Sequence, residues 1–161
     1  MASTTFSGPV TSTAGFISGA DSLVSVTGAT ATVTAAAHSG RTVLLDRAAG
    51  QALTLPAASG TGNSYKFFVA TTITSNSTTI KVADATDIMA GVAIVANDSD
   101  ASASLFETAA DSDTITFNGS TTGGIKGATV ELQDVAANLW SVRIVGAATG
   151  TEATPFSATV S

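Results

Sequence analysis

From Leu23 onward the chain is a succession of short apolar runs rich in β-branched residues: SLVSV, TATVT, RTVLLD, ALTL, YKFFVATTIT, TTIKVA, VAIVA, DTITF, ATVELQD and WSVRIVG. Most span about 4–8 residues and are bounded by Gly, Asn, Asp or Pro, which is the pattern of half-buried strands linked by turns. Two runs alternate strictly. In ATVELQD, Val130 and Leu132 share one face while Thr129 and Glu131 share the other; in WSVRIV, Trp140, Val142 and Ile144 alternate with Ser141 and Arg143. The pair predicts an antiparallel hairpin joined through Val135 to Leu139, with Asn138 as the residue that accepts a positive φ. Trp140, the only tryptophan, is the expected core anchor, because a large ring on an alternating strand buries more area than any other side chain available. Helix is expected only at Ala35–Ala37 or in SASLFETAAD, where alanine favours it while length and caps do not.

The first 20 residues carry no such period. Phe6, Phe16 and Ile17 stand isolated among Ser, Thr, Gly and Pro, so 1–20 reads as an extended arm and 21–161 as a single β domain. The expected class is all-β: a compact antiparallel β-sandwich or barrel, jelly-roll-like, with that arm at its N-terminus. PAASGTGNS, between Leu55 and Tyr65, predicts a long exposed loop. TITSNSTTIK at 72–81 is echoed by TITFNGSTTGGIK at 114–126, which fits two similar hairpins.

Composition narrows the function. The 161 residues suit one domain, and 44% apolar against 11% charged residues excludes disorder over the whole length. A net charge of -6 has the wrong sign for a phosphate-binding surface, so no nucleic-acid partner is expected. With no Cys and a single His38, disulfides, thiol nucleophiles and His-rich metal sites drop out. The N-terminus lacks the basic and apolar regions of a signal peptide, and no stretch approaches the ~20 apolar residues of a membrane span. A mean hydropathy of +0.38 with so little charge points to apolar surface shared with a partner.

Specific chemistries fail on spacing. GSTTGGIK at 119–126 lacks the G-x-x-x-x-G-K-[ST] order that converges amides and a lysine on phosphates, and a strand follows it. A Ser-His-Asp hydrolase would have to use His38, near Asp46, without any G-x-S-x-G elbow. Asp84, Asp87, Asp98, Asp100, Glu107, Asp111 and Asp113 form an acidic belt with no Lys or Arg between Val82 and Ile125. Its pairs Asp98-Ser-Asp100 and Asp111-Ser-Asp113 place carboxylates two apart, which could supply oxygen ligands to Ca²⁺, but the EF-hand spacing is absent and the belt reads first as a solvated face. No catalytic residue, metal or cofactor is expected.

The opening STTFSGPVTSTAGF resembles the N-terminus of small virion proteins of tailed bacteriophages. ALTLPAASGTGNSYKFFVATTITSNSTTIKVA, DTITFNGSTTGGIKGATVELQDVAANLWSVRIVG and the ending GTEATPFSATV are also similar to them. The resemblance implies a capsid decoration, or cement, protein: a β domain, typically a homotrimer, made in the host cytoplasm and seated on the outer capsid surface, where it clamps neighbouring major capsid protein subunits. Phe6, Pro9, Val10, Phe16 and Ile17 are the arm residues it would set against the capsid. Isolated apolar side chains on an arm have no local core, which agrees with a partner's pocket, or with packing back on the domain or a sister subunit. The alternative is a head- or tail-fibre module that binds host-surface carbohydrate, for which Tyr65, Phe68, Phe106 and Phe156 are the aromatic candidates.

Overall fold

The β-branched runs do form strands, and what they build is a pair of sheets laced together by the chain. The computed structural model describes residues 22–160, together with Ser7. The elements are β1 (Leu23–Val26), β2 (Thr30–Thr32), α1 (Ala35–His38), β3 (Thr42–Leu45), β4 (Ala52–Thr54), β5 (Ser64–Val69) and β6 (Thr78–Lys81). They continue with β7 (Ile88–Ala96), β8 (Ala103–Glu107), β9 (Thr114–Phe117), β10 (Thr129–Ala136), β11 (Leu139–Ala147) and β12 (Phe156–Ser157). One sheet has seven strands in the order β1-β3-β5-β10-β11-β7-β8, the other five in the order β12-β9-β6-β4-β2.

The first six strands alternate between the sheets. β1, β3 and β5 run parallel in the larger one, with Leu23, Thr42 and Lys66 in register, while β2, β4 and β6 run parallel in the smaller, with Thr30, Ala52 and Thr79 in register. A strand that crosses to the other layer and returns re-enters its first sheet in the same direction. The result is three turns of a flattened coil. The later strands close it: the β10–β11 hairpin lies antiparallel beside β5, β9 lies antiparallel beside β6, and β7 joins β11 in parallel before pairing with β8.

The expected all-β class holds, the sandwich-or-barrel expectation takes the form of two sheets, and the antiparallel arrangement is corrected to mixed sheets. Period-two alternation and turn residues are the same for both directions, so only the crossing between layers makes the pairs parallel. The expected hairpin is present, with Asn138 at φ 61° and a bulge between Asp134 and Ala136. Of the two helix candidates, Ala35–His38 forms a single turn, capped by Thr34 Oγ1 accepting from the Ala37 N–H at 3.4 Å. SASLFETAAD instead supplies β8, where Ala103, Leu105 and Glu107 alternate with Ser104 and Phe106 and tertiary pairing with β7 overrides alanine's preference. The echoed segments are not two hairpins: their strands β6 and β9 pair with each other, Ile80 opposite Ile115.

Inward side chains of both sheets merge into one core. Val43, Phe67, Val130 and Ile144 come from the larger sheet and Leu53, Ile80, Ile115 and Phe117 from the smaller, all essentially inaccessible. Trp140 is fully buried and meets Tyr65 edge-on with ring centroids 5.7 Å apart, the core anchor expected of it. Where β7 runs against β11, a Cβ on Gly91 would fall 1.7 Å from the Val142 carbonyl oxygen, so the approach of the two backbones admits no side chain there.

Candidate functional site

The outward face of the seven-stranded sheet is where the chemistry departs from that of an ordinary solvated surface. Because the strands are in register, every second residue builds rows across the sheet. One row reads Ser25, Leu44, Phe68, Thr129, Val145, Ile94, Leu105 from β1 to β8. Leu44, Phe68 and Thr129 are half-buried, while Val145, Ile94 and Leu105 are 41%, 37% and 71% exposed. Val92 and Leu23 add further apolar surface in the next row. Among the described residues, all the exposed large hydrophobics, Val135 included, belong to strands of this sheet.

The next row is charged: Thr42, Lys66, Glu131, Arg143, Val92, Glu107. Lys66 Nζ stands 3.7 Å from Glu131 Oε1, both side chains about half exposed, so the pair is worth only ~0–1 kcal/mol to the fold. Arg143 lies directly across from Glu131 on the other side. Together with Arg41, Thr42, Ser64, Gln133 and Ser141 these residues border a shallow groove of about 490 Å³. Three of the six Lys and Arg residues of a chain with net charge -6 therefore meet in one place. The β7–β8 hairpin at the sheet's edge is the opposite, with exposed Asp98, Asp100 and Glu107.

Three buried aspartates are the other polar feature, and their work is to hold loops. Asp134 Oδ1 accepts from the Ser59 and Gly60 N–H groups at 3.0 and 2.7 Å, and its Oδ2 accepts from the Thr61 N–H and hydroxyl at 3.0 and 2.6 Å. Burial pushes this carboxyl up, yet the bonds from Thr61, Gly60 and Ser59 together outweigh it and hold the group below the usual carboxylate range. Asp87 accepts from the Ala58 N–H at 3.0 Å; burial pushes it above the usual range, and the charges of Asp84 and Asp134 add to the rise against that one bond. Asp113 accepts from Thr114 Oγ1 and from the Thr159 and Val160 N–H groups, tying the C-terminal segment to β9. The loop expected to be long and exposed is exposed from Ser59 to Gly62, and these bonds pin its backbone along Ala58 to Thr61, with Ala58 itself buried.

Other residues singled out by sequence are dispersed. His38 Nδ1 accepts from the Thr34 N–H at 3.0 Å and closes its own helical turn, while Asp46 accepts from Thr71 Oγ1 at 2.5 Å, so the two form no acid-base pair. Asp98 accepts from the Gly150 N–H and Asp100 from Ser102 Oγ. Among the described residues no group of three or more His, Asp or Glu side chains is placed to hold a metal ion. Tyr65 and Phe156 face the core and Phe68 and Phe106 are half-buried in strands, so the four aromatic candidates form no common platform. Phe6, Pro9, Val10, Phe16 and Ile17 lie outside the described residues. No helix of the described residues is long and apolar enough to cross a membrane. Comparison of the chain with protein-family models, curated proteins and solved structures finds no match.

Proposed function

We propose that the protein is a structural virion component that decorates the outer surface of a phage capsid and strengthens the assembled major capsid protein lattice. The observation that carries this reading is the outward face of the seven-stranded sheet, where Val145, Ile94, Val92 and Leu105 stand exposed beside a charged row. Contiguous aliphatic surface on a chain with 11% charged residues is a surface for meeting protein. The sequence resemblance adds the setting, with the arm of residues 1–20 reaching the capsid through Phe6, Pro9, Val10, Phe16 and Ile17, and copies of the domain meeting one another. Stabilisation then works by mass action. A protein that binds the assembled lattice and not free subunits lowers the free energy of the lattice alone, and many weak contacts act together through avidity.

Co-sedimentation with purified DNA-filled capsids, using the full chain and a chain lacking residues 1–20, tests the reading. The full chain is expected to pellet with capsids in saturable amounts and to raise their resistance to heat or chelation, and the shortened chain to lose most of that binding. Full-length protein that never pellets with capsids, or that binds a host polysaccharide instead, overturns it.

A further inference from the structure

The two rows of the outward face have a symmetry of their own. In the charged row, Glu131 on β10 and Arg143 on β11 are adjacent and opposite in sign. In the apolar row, Phe68 on β5 and Ile94 on β7 lie at equal distances either side of the β10–β11 boundary, as do Leu44 on β3 and Leu105 on β8. From this we infer that the face pairs with the same face of a second copy about a two-fold axis running parallel to the strands, between β10 and β11.

Turning a copy over about that axis reverses the order of its strands and leaves each row at its own height. Apolar row then lies on apolar row: Thr129 meets Val145 of the second copy, Phe68 meets Ile94, and Leu44 meets Leu105. In the charged row Glu131 meets Arg143 and, by symmetry, Arg143 meets Glu131, while Glu107 comes over Thr42 beside Arg41. Lys66 keeps its own Glu131 and lays its aliphatic stem towards Val92 of the second copy. Short outward residues flank the rows, with Ala147, Ala96 and Ala103 in register on one side and Ser64 and Ser141 either side of the flexible Gln133 on the other. These permit the approach of about 10 Å at which two sheets stack.

A partner of another kind would have no need for a surface that is complementary to itself in both charge and hydrophobicity. The threefold ring implied by the sequence resemblance would join unlike patches, whereas this face is isologous. Six strands about 4.8 Å apart, each with about three outward residues, give a footprint of about 500 Å² per copy, so about 1,000 Å² in all, the lower bound of a specific interface. A dimer of micromolar affinity is the expectation. Packed sheets are rotated by about 30°, so the match is tightest near the axis, at Glu131, Arg143, Thr129 and Val145.

The inference rests on the reading above only for copies meeting one another, with a twofold pair in place of the threefold ring, and its test uses free protein, so failure to pair and failure to bind capsids are separate results. Sedimentation velocity of the full chain across micromolar concentrations is expected to show a monomer–dimer equilibrium. Glu131→Arg alone sets arginines against one another across the axis, and Arg143→Glu alone sets carboxylates against one another; each is expected to weaken pairing at least tenfold. An equimolar mixture of the two variants restores opposite charges at both crossings and is expected to form a one-to-one dimer. Val145→Lys, which puts an ammonium group beside the axis without touching the charged row, is expected to dissociate the dimer as well. Far-UV circular dichroism of each variant should match that of the unchanged chain. A strictly monomeric protein, a three-copy species, single variants that pair as tightly as the parent, or a mixture that stays monomeric overturns the inference.

Discussion

The two sheets share a core but not an exterior. Outward from the five-stranded sheet, Thr30, Ala52, Thr79 and Thr116 stand in one row and Thr32, Thr54 and Lys81 in the next, with no exposed large hydrophobic among the described residues. Outward from the seven-stranded sheet the corresponding positions carry Phe68, Val145, Ile94 and Leu105. Threonine gives a strand the β-branched carbon it favours and gives water a hydroxyl to bind, so the smaller sheet's face is self-sufficient in solvent. The aliphatic face gains nothing from water. Both exteriors satisfy strand formation, so the difference between them lies in how each face meets water.

The sharpest way to break the contrast is to remove what the faces share. Trp140→Ala should cost about 4 kcal/mol, read as a lower urea midpoint, and both sheets should still unfold in one transition. Separate transitions reported by probes at Lys66 and at Lys81 would mean that two independently stable layers, and not one body with two exteriors, had been compared. Asp134→Ala comes next, because it strands three backbone donors and a hydroxyl beneath β10; about 3 kcal/mol is expected. Hydrogen exchange at Ser59, Gly60 and Thr61 should accelerate, while the threonine-faced strands keep their protection.

Acid should separate the buried carboxylates. Asp134 has a folded-state pKa below its unfolded value, so its contribution is present above the ordinary carboxylate range and is lost as pH falls through the depressed value. Asp87 has the opposite sign: its raised folded-state pKa means that a buried charge destabilises at neutral pH, and the penalty fades as pH falls through that raised value. Urea midpoints should therefore hold or rise on mild acidification and then drop. Asp87→Asn should remove the first phase only, and a monotonic fall in the unchanged protein would refute this assignment. The smallest effect concerns the exteriors themselves. Ile94→Thr with Leu105→Thr should shift the stability of the single chain by no more than about 0.5 kcal/mol yet weaken binding of a hydrophobic dye by dilute, unpaired protein. Thr54→Val with Thr79→Val should create dye binding on the other sheet at a similarly small change in stability. Equal dye binding by all three proteins would erase the distinction between the faces.

Much of this was written in the chain, unevenly. ATVELQD and WSVRIV announce their hairpin because alternation fixes which residues face inward, and Asn138 tolerates the left-handed turn. The role of Asp134 was missed although its signal is present: it falls in phase with Val130 and Leu132, so a carboxylate had to enter the core side and find donors there. The outward apolar row also left a trace. GVAIVA is apolar at consecutive positions, the mark of a strand covered on both faces, but joining Ile94 to Val145 and Leu105 requires the register. Coil topology was not legible, because nothing local in Thr42–Leu45 states that its neighbours are β1 and β5 and that β4 belongs to another layer.

That lacing of layers also sets a timetable. Among the described strands only β7–β8 and β10–β11 join neighbours in both sequence and sheet; every other pairing among them waits for a segment that crosses the molecule first. Folding dominated by such distant closures is slow, on the scale of milliseconds to seconds. During synthesis the three coils emerge first, yet β5 awaits β10 and β6 awaits β9. A chain stalled before Thr114 would present both of these raw strand edges and an uncovered core, and the cell would meet it as a substrate for chaperones or proteases.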